Sequence, residues 1–279
     1  MRTRHEITLH NGTLAFVGTA LMGVINVTPD SFSDGGLHAS HSAAIAYGNA
    51  LAAAGAVVLD IGGESTRPGA ARLAPEAEQA RILPVIRALA AAGHTVSVDT
   101  RNASTALKAI AAGARIVNDI AGFRDEAMQH MVAETGVAVV AMHMQGDPTT
   151  MQINPTYTDV VAEVTQYLQE RVEQLTRLGA ASVIIDPGIG FGKRLAHNLA
   201  LIRATRELAQ VAPVLMGASR KSFINQIVPA PIAHERLGGT LAAHAYAAAN
   251  GAALLRVHDV AEHVQYLRVA QALEGPDEH

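Results

Sequence analysis

Eight short apolar runs recur along the chain, and each one is followed by polar residues. A continuous apolar run, without alternation, is typical of a parallel strand that is buried on both faces. The pattern therefore predicts eight parallel strands, at Leu21–Val27, Val57–Ile61, Thr95–Asp99, Arg115–Asp119, Val137–His143, Ser182–Asp186, Val214–Ser219 and Ala253–His258.

Segments rich in Ala and Leu, with helical spacing, separate these runs. They include Ser42–Ala54, Pro75–Ala92, Ala103–Ala112, Asp159–Leu178, Ala196–Ala209 and Ala233–Asn250. Glycine, which commonly ends a helix, stands at Gly55, Gly93, Gly113, Gly179 and Gly251. Strands and helices that alternate over the whole chain indicate βαβ units around a parallel sheet.

The chain length of 279 residues and the spread of its polar motifs favour a closed barrel. A (β/α)8 barrel forms one domain of about 250 residues and takes its active site from the ends of many strands. An open doubly wound sheet would concentrate the motifs at one switch point. We therefore predict an α/β protein, a (β/α)8 TIM barrel, as a single domain over residues 1–279 with a core from about 18 to 272. Glu6–Gly18, with Asn11-Gly12 between apolar runs, predicts an N-terminal β-hairpin that covers the bottom of the barrel.

Composition excludes several classes of function. The chain has no cysteine, so disulfides, thiolate nucleophiles and cysteine-ligated metals are excluded. A formal net charge of -4, spread along the chain, gives no basic footprint for nucleic acid. No apolar stretch reaches the roughly 20 residues of a membrane span, and the first residues lack the apolar core of a secretory signal. We expect a soluble, cytoplasmic protein without a nucleic-acid or membrane partner.

Two polar segments, after the first and second strands, are longer than ordinary βα turns of about 2–6 residues. They run over Asn26–Gly36 and Asp60–Gly69 and are rich in Gly, Pro and Ser. Such loops on the top of a barrel are either mobile lids over a ligand or plain surface loops. The Asp residues in both segments and Arg67 in the second favour lids.

Three further strands end in polar side chains that should point into the mouth of the barrel, namely Asp99, Asn118 and Asp186. A buried polar group without a partner is costly, so this set needs hydrogen-bond donors. A ligand rich in N–H groups, such as a 2-amino-4-oxo pyrimidine ring, would supply them. The alternative is pairing with Arg or Lys to stabilise the barrel.

The ends of the last two strands indicate an anion site. The segment Gly217–Ser222 resembles a turn into a helix N-terminus, where free N–H groups and Lys221 would attract an anion. Arg256 and His258 alternate on the last strand and should point the same way, and barrels often bind phosphate after their seventh and eighth strands. A structural salt bridge is the alternative role for Arg256.

Taken together, these motifs resemble those of the dihydropteroate synthases, in order and at consistent spacing from about residue 7 to 272. The segment Asn26–Gly36 resembles the first family signature, and Gly62–Gly69 resembles the second. The remaining signatures are similar to Asp186–Lys193, Ser219–Ser222 and Arg256–Asp259. One departure is Asn225, where many members have glycine.

The resemblance implies a substrate pair, a metal and a role for each site residue. The family condenses (7,8-dihydropterin-6-yl)methyl diphosphate with p-aminobenzoate in folate biosynthesis, is inhibited by sulfonamides that mimic p-aminobenzoate, and tends to form homodimers. The implied pterin site is Asp99, Asn118, Ile120, Met142, Asp186, Gly217 and Lys221. The implied p-aminobenzoate site is Thr66, Arg67, Pro68, Phe191 and Ser222. The diphosphate would contact Asn26, Thr66, Arg67, Arg256 and His258, with Asn26 as the ligand of Mg2+, and the implied catalytic residues are Asp34, Asp99 and Lys221.

Three rival functions share part of this pattern. A pterin-binding methyltransferase domain would keep the polar strand ends, but it has no use for the diphosphate contacts or for Thr66–Gly69. A duplicated homologue that binds pterin without turnover should have lost loop residues such as Asn26, Asp34 and Arg67, which this chain keeps. A phosphate-binding barrel isomerase explains only the last two strands. We therefore expect a transferase with an SN1-like path, for which the motifs offer no strong general base.

Overall fold

The computed structural model describes residues 3–28, 36–64 and 73–273, and of residues 36–39 the backbone alone. The strands are β1 (Arg4–Leu9), β2 (Gly12–Val17), β3 (Ala20–Asn26), β4 (Val58–Gly62), β5 (Val96–Asp99), β6 (Ile116–Asp119), β7 (Ala138–Met142), β8 (Val183–Asp186), β9 (Leu215–Met216) and β10 (Leu254–Val257). The helices are α1 (Gly36–Ala54), α2 (Pro75–Ala91), α3 (Ala103–Ala111), α4 (Glu126–Thr135), α5 (Val160–Arg177), α6 (Leu195–Arg203), α7 (Thr205–Leu208), α8 (Ser222–Ile227), α9 (Leu237–Ala249) and α10 (Val260–Leu273), with a 3-10 turn at Ala233–Arg236.

Strands β3 to β10 form the predicted barrel. They are all parallel, in the order β8-β7-β6-β5-β4-β3-β10-β9. A parallel bridge between Ile185 and Val214 joins the two edges, so that β8 meets the start of β9. The prediction of a (β/α)8 barrel is confirmed, and all eight carboxyl ends therefore open at one face.

Side chains alternate between the inside of the barrel and the layer under the helices. Outward residues such as Leu59, Ile61 and Val98 belong to the large apolar cluster beneath the helices. Inward residues near the amino ends of the strands, such as Met22 and Val58, form a second apolar cluster. Farther along the strands the inward positions become polar, at Asp60, Ser97, Asp99, Asn118, Asp186 and Arg256. The barrel is thus apolar at its base and polar at its mouth.

The helices begin and end largely where the sequence predicts. All five glycines predicted to stop a helix have positive φ, a conformation that glycine adopts without steric cost. Helix α5 begins at the N-cap Asp159, whose carboxylate accepts bonds from Val161 and Ala162 N–H. The helices α4, α8 and α10 add to the predicted set.

Four elements differ from the prediction by more than one residue at an end or by an internal break. Helix α1 begins at Gly36 and not at Ser42. The predicted Ala196–Ala209 helix breaks at Ala204, because Thr205 Oγ1 donates to the Ile202 carbonyl at 2.6 Å and competes with the helical backbone bonds. The predicted Ala233–Asn250 helix opens with the 3-10 turn, and β9 is only two residues long.

The N-terminal hairpin closes the bottom of the barrel, as predicted. Its turn is His10-Asn11, one residue earlier than Asn11-Gly12, because Leu9 pairs with Gly12 in the β1–β2 register. Ile7 and Leu9 pack onto the inward residues at the strand amino ends. The backbone N–H of Thr8 also donates to Ser182 Oγ at 2.9 Å, which ties the hairpin to the start of β8.

Truncation of the hairpin contact should destabilise the fold. Ile7 is fully buried, so Ile7→Ala is expected to lower the free energy of unfolding by about 2–5 kcal/mol, through lost burial and a cavity. Val17, in the same hairpin, is 55% exposed, so Val17→Ala should change it by less than about 0.5 kcal/mol. Urea unfolding followed by circular dichroism measures both. Equal effects of the two variants would contradict the packing of the hairpin onto the barrel.

Candidate active site

Arg256 lies at the centre of the barrel mouth, between two carboxylates. Its Nε donates to Asp60 Oδ2 at 2.6 Å, and its Nη2 donates to Asp99 Oδ2 at 2.8 Å. Burial lowers the pKa of Arg256, but the charges of Asp60 and Asp99 outweigh burial and the net shift is upward. Arg256 therefore stays cationic, and the salt-bridge alternative for this residue is observed, with Asp60 and Asp99 as its partners.

The pKa of Asp99 is raised as well, which for a carboxyl group favours the neutral form. Desolvation raises the pKa of Asp99 to about 7, against the lowering effect of Arg256, and the charge of Asp60 adds to the rise. A group with this pKa changes its charge near neutral pH, as active-site acids and bases often do.

Asp60, predicted as the first residue of the second lid segment, instead lies inside β4 and is a member of this cluster. Its side chain is fully buried, and its Oδ2 also accepts a bond from Asn118 Nδ2 at 3.1 Å. A signal was available, since Asp60 is a charged residue inside an apolar run and a buried charge needs a partner. Its inward orientation follows from the β4–β5 register, in which Asp60 lies opposite Ser97.

Asp186 occupies the opposite wall of the mouth. Its Oδ1 accepts the Gly188 N–H at 2.6 Å, and burial raises its pKa. Gly217 borders the same carboxylate, since a Cβ placed on Gly217 would come within 3.4 Å of Asp186 Oδ2. The acceptor set predicted from the strand ends is therefore brought together around one opening.

An apolar shelf lines another side of the mouth. It consists of Ile120, Met142, Met144, Met151 and Phe191, which form one buried cluster. The three predicted members, Ile120, Met142 and Phe191, are brought together here. Met144, directly after β7, and Met151, in the long segment that follows, complete the cluster.

Lys221 joins the shelf to the acceptors. Its Nζ lies 4.1 Å from the centroid of the Phe191 ring, which is close enough for a cation–π interaction. Burial and Arg256 lower the pKa of Lys221 to about 8, although Asp186 and Asp99 act against the shift. Lys221 is thus positively charged at neutral pH and loses this charge at mildly alkaline pH.

His258 lies beside the turn that precedes α8. Its Nδ1 is 2.9 Å from Ser219 Oγ, and its backbone N–H donates to the same hydroxyl at 3.3 Å. Desolvation and the neighbouring Arg256 lower the pKa of His258 to about 3. His258 is therefore neutral at pH 7 and can offer an anion a hydrogen bond but no charge.

The turn itself is held by an ion pair with Asp259, which lies between β10 and α10. Arg220, in a left-handed conformation, pairs with Asp259 through an Nε–Oδ2 contact of 3.0 Å. Helix α8 spans only the six residues Ser222–Ile227, with Lys221 as its N-cap residue. Asn225, where many family members have glycine, is exposed and accepts the Ala230 N–H at 2.7 Å, so it supports the loop after α8.

A buried histidine pair, whose partners were not predicted, supports this turn from behind. His244 Nε2 accepts the Ala218 N–H at 3.1 Å, and His244 Nδ1 lies 2.8 Å from His263 Nε2. His263 Nδ1 lies 2.6 Å from the Asp259 carbonyl oxygen. Because an imidazole nitrogen that accepts a bond carries no proton, the chain of bonds requires both rings to be neutral.

Lys193 is a second support that the sequence did not assign. It is buried, and its Nζ bonds to His143 Nδ1 at 3.0 Å, the His143 carbonyl at 3.3 Å and the Phe191 carbonyl at 2.9 Å. Desolvation lowers the pKa of Lys193 to about 7. Lys193 thereby fixes the loop that carries Phe191 against the end of β7.

Asn26 ends β3 at the mouth and is exposed. Four other predicted site residues, Asp34, Thr66, Arg67 and Pro68, lie outside the described residues, as do most of the two predicted lid segments. The part of the chain that the structure describes contains no group of three or more His, Asp or Glu side chains that could hold a metal ion. Over the same residues, every helix is too short or too polar to cross a membrane.

Comparison with known proteins agrees with the geometry. A family model for pterin binding enzymes matches residues 22–258. Dihydropteroate synthase from Escherichia coli (strain K12) is 44% identical over 256 residues, which cover 90% of each chain.

Solved structures extend the likeness to the fold. Xanthomonas albilineans dihydropteroate synthase with 4-aminobenzoic acid superposes with a TM-score of 0.91 and 43% identity, over 98% of this chain and 100% of that one. The same enzyme in complex with 7,8-dihydropteroate gives a TM-score of 0.88 and 40% identity, over 98% and 100% of the two chains. The chain therefore belongs to the pterin binding enzymes and, among them, to the dihydropteroate synthase family.

Proposed function

We propose that this protein is a transferase of folate biosynthesis that condenses (7,8-dihydropterin-6-yl)methyl diphosphate with p-aminobenzoate, giving 7,8-dihydropteroate and diphosphate. The observation that carries the proposal is the 2.8 Å contact between Arg256 and Asp99, which sets a phosphate-binding cation beside an N–H acceptor. The Xanthomonas albilineans relatives hold 4-aminobenzoic acid and 7,8-dihydropteroate, one substrate and the product of this reaction.

The pterin would bind to the acceptor side of the mouth. Asp99, Asn118 and Asp186 would accept hydrogen bonds from the ring N–H and amino groups, which compensates their burial. The ring would lie against Ile120 and Met142, which share one apolar cluster. Gly217 leaves room beside Asp186 for a planar ligand, and Lys221 would reach the ring from the other side.

Arg256 and His258 would hold the diphosphate. Arg256 supplies charge and a planar fork that matches phosphate oxygens. The neutral His258 supplies a directed hydrogen bond, oriented by its contact with Ser219 Oγ. Both stabilise the negative charge that grows on the leaving group, which is how an active site lowers such a barrier.

Asn26 fits the role of a Mg2+ ligand that acts with the diphosphate. Mg2+ prefers oxygen ligands and usually combines one or two protein groups with substrate phosphates and water. Asn26 is exposed at the end of β3, and the described residues contain no cluster of acidic side chains around it. This arrangement suits a metal ion shared with substrate phosphates, and not one enclosed by protein ligands alone. When bound, the metal would neutralise charge on the diphosphate.

The p-aminobenzoate would bind between Phe191 and Lys221, with the Ser222 N–H available to its carboxylate. The 4.1 Å contact of Lys221 Nζ with the Phe191 ring places an apolar face next to a cation, which suits an aromatic acid. We assign Thr66, Arg67 and Pro68 to the same site from the family resemblance.

The reaction would follow an SN1-like path. The bond between the methylene carbon and the diphosphate oxygen breaks first and leaves a cation that the pterin ring delocalises. Asp99 stabilises that cation, with Asp34 as an assigned helper, and Lys221 holds the second substrate close. The aniline nitrogen then attacks the methylene, and its surplus proton leaves to solvent or diphosphate. Loops that exclude water would protect the cation.

We further propose that the protein works in the cytoplasm as a homodimer of one barrel domain per chain. Helices α6, α8 and α9 surround an apolar cavity of about 370 Å³, bordered by Phe223, Ile227 and Tyr246. Ile227 and Val228 at its rim are 54% and 60% exposed. An apolar patch of this kind marks an interaction site, and a second copy would cover it.

The central test is turnover of the two proposed substrates. Purified protein with Mg2+ should form dihydropteroate and release equimolar diphosphate, and chelation of Mg2+ should stop both. Asp186→Asn and Arg256→Ala should lower kcat/KM by at least about 10³-fold, because each removes a charge-bearing contact to the pterin or the diphosphate. Circular dichroism checks the fold, and Arg177→Ala, at an exposed arginine in α5, is the control. Turnover like that of the wild type in both site variants would contradict the assignment.

The pH dependence should be a narrow bell. Asp99, with its pKa raised to about 7, loses its useful charge as the pH falls below that value. Lys221, with its pKa lowered to about 8, loses its charge as the pH rises above that value. The profile of kcat/KM for pterin diphosphate should therefore fall on both sides of a maximum between the two. Lys221→Arg keeps the charge and should remove the alkaline limb. An unchanged alkaline limb in that variant would show that another group titrates there.

Sedimentation velocity tests the dimer. The wild type should sediment as a dimer at micromolar concentration, and Val228→Asp should give monomers because it places a charge in the apolar patch. Val269→Asp is the matched control, because Val269 is 56% exposed on α10 and lies outside the patch. A monomeric wild type, or a Val228→Asp variant that remains dimeric, would refute this interface.

A further inference from the structure

The fully buried Asp60 carries a cost that barrel stability does not explain. Its Oδ1 is buried and makes no hydrogen bond in the part of the chain that the structure describes. A buried carboxylate with an unsatisfied oxygen is unfavourable, and a buried ion pair can often be replaced by apolar residues without loss of stability. Local choices that oppose stability cluster at functional sites. Asp60 therefore calls for a functional explanation.

The contacts of Asp60 point to one. One oxygen, Oδ2, accepts from Arg256 Nε at 2.6 Å and from Asn118 Nδ2 at 3.1 Å. These two partners come from β10 and β6, which lie on either side of β4 in the sheet order, and all three side chains face the inside of the barrel. The Nη2 of Arg256 remains directed to Asp99, nearer the opening. Asp60 thus holds the Nε side of the Arg256 guanidinium, while the Nη2 side points towards the mouth of the barrel.

The geometry points to Asp60 as a positioning residue for the pterin diphosphate site, which fixes the Arg256 guanidinium and the Asn118 amide relative to each other. The assignment rests on the proposed function, in which Asn118 contacts the pterin and Arg256 contacts the diphosphate. One buried carboxylate would then set the distance between the two subsites that a single substrate must span. A displacement of about 1 Å in such a pair is enough to cost on the order of 10²-fold in rate.

Asp60 also limits how strongly Asp99 holds Arg256. Two carboxylates share one guanidinium, and the charge of Asp60 opposes ionisation of Asp99, so Asp99 neutralises Arg256 less completely than it would alone. Without the charge of Asp60, Asp99 would become the sole carboxylate partner of Arg256 among these three, and it would ionise more readily. The charged groups that act on Asp99 are Arg256 from β10, Asp60 from β4, Glu78 from α2, Asp119 from β6 and Lys221 before α8.

The variant Asp60→Asn tests this role, because it keeps the size and removes the charge. We expect KM for pterin diphosphate to rise on the order of 10²-fold, while KM for p-aminobenzoate stays within about twofold. The acid limb of the pH profile should move to lower pH, because Asp99 loses a like charge. A purely structural role of Asp60 would not shift that limb. Turnover of the wild-type protein in the same assay tests the proposed function separately from the role of Asp60.

Ser97→Ala is the matched control. Ser97 lies opposite Asp60 in the β4–β5 register, and its buried Oγ makes no hydrogen bond among the described residues. Its removal should leave both KM values and the acid limb unchanged. An unchanged KM for pterin diphosphate in Asp60→Asn, or equal rises in both KM values with an unshifted acid limb, would overturn the proposal.

A double variant covers the case in which Asp60→Asn does not fold. Asp60→Asn combined with Arg256→Gln replaces the ion pair by a neutral pair, which leaves no uncompensated buried charge between these two residues. Calorimetric titration with pterin diphosphate compares it with Arg256→Gln alone. If Asp60 acts through Arg256, the two dissociation constants should agree within about threefold. A further large loss in the double variant would show that Asp60 acts independently of Arg256 and would overturn the proposal.

Discussion

Three charged side chains, Asp60, Asp99 and Arg256, share the polar upper interior of the barrel, and the site depends on how their charges balance. Opposite charges attract strongly where water is scarce, but each charge also loses its hydration there. Two carboxylates contact one guanidinium. Asp60 holds Arg256 at Nε, and the pKa of Asp99 lies close to neutral pH. The position of the Arg256 guanidinium and the proton affinity of Asp99 therefore have one common cause.

The barrel fold makes this balance possible. Parallel strands bring their carboxyl ends to one face, so residues far apart in sequence, such as Asp60 and Arg256, become neighbours. The apolar base, sealed by the hairpin, keeps water away from the lower side of the cluster. Buried supports behind the mouth, Lys193 for the Phe191 loop and His244 for the Ala218 turn, hold the flanking groups in place. The proposed chemistry would thus use groups that the fold has already oriented.

Much of this could be predicted from the sequence, because it follows from local periodicity. The eight strands, the glycines that stop helices and the acceptors Asp99, Asn118 and Asp186 at strand ends all have local signals. Asp60 was missed as a site residue because its role depends on strand register, which decides that it faces the inside of the barrel with Ser97. The bond from Lys193 to His143 joins residues fifty positions apart and leaves no periodic trace. The break at Ala204 depends on a single side-chain bond, which a helical pattern does not reveal.

The account claims that one mouth holds a pterin pocket and, beside it, a diphosphate subsite built on Arg256. Its most direct test is a calorimetric comparison of two ligands, 6-hydroxymethyl-7,8-dihydropterin and its diphosphate, in the wild type and in Arg256→Ala with Mg2+ present. The wild type should bind the diphosphate at least about tenfold more tightly than the alcohol, and Arg256→Ala should lose most of that difference while it still binds the alcohol. An Arg256→Ala variant that keeps the full preference for the diphosphate would contradict the account.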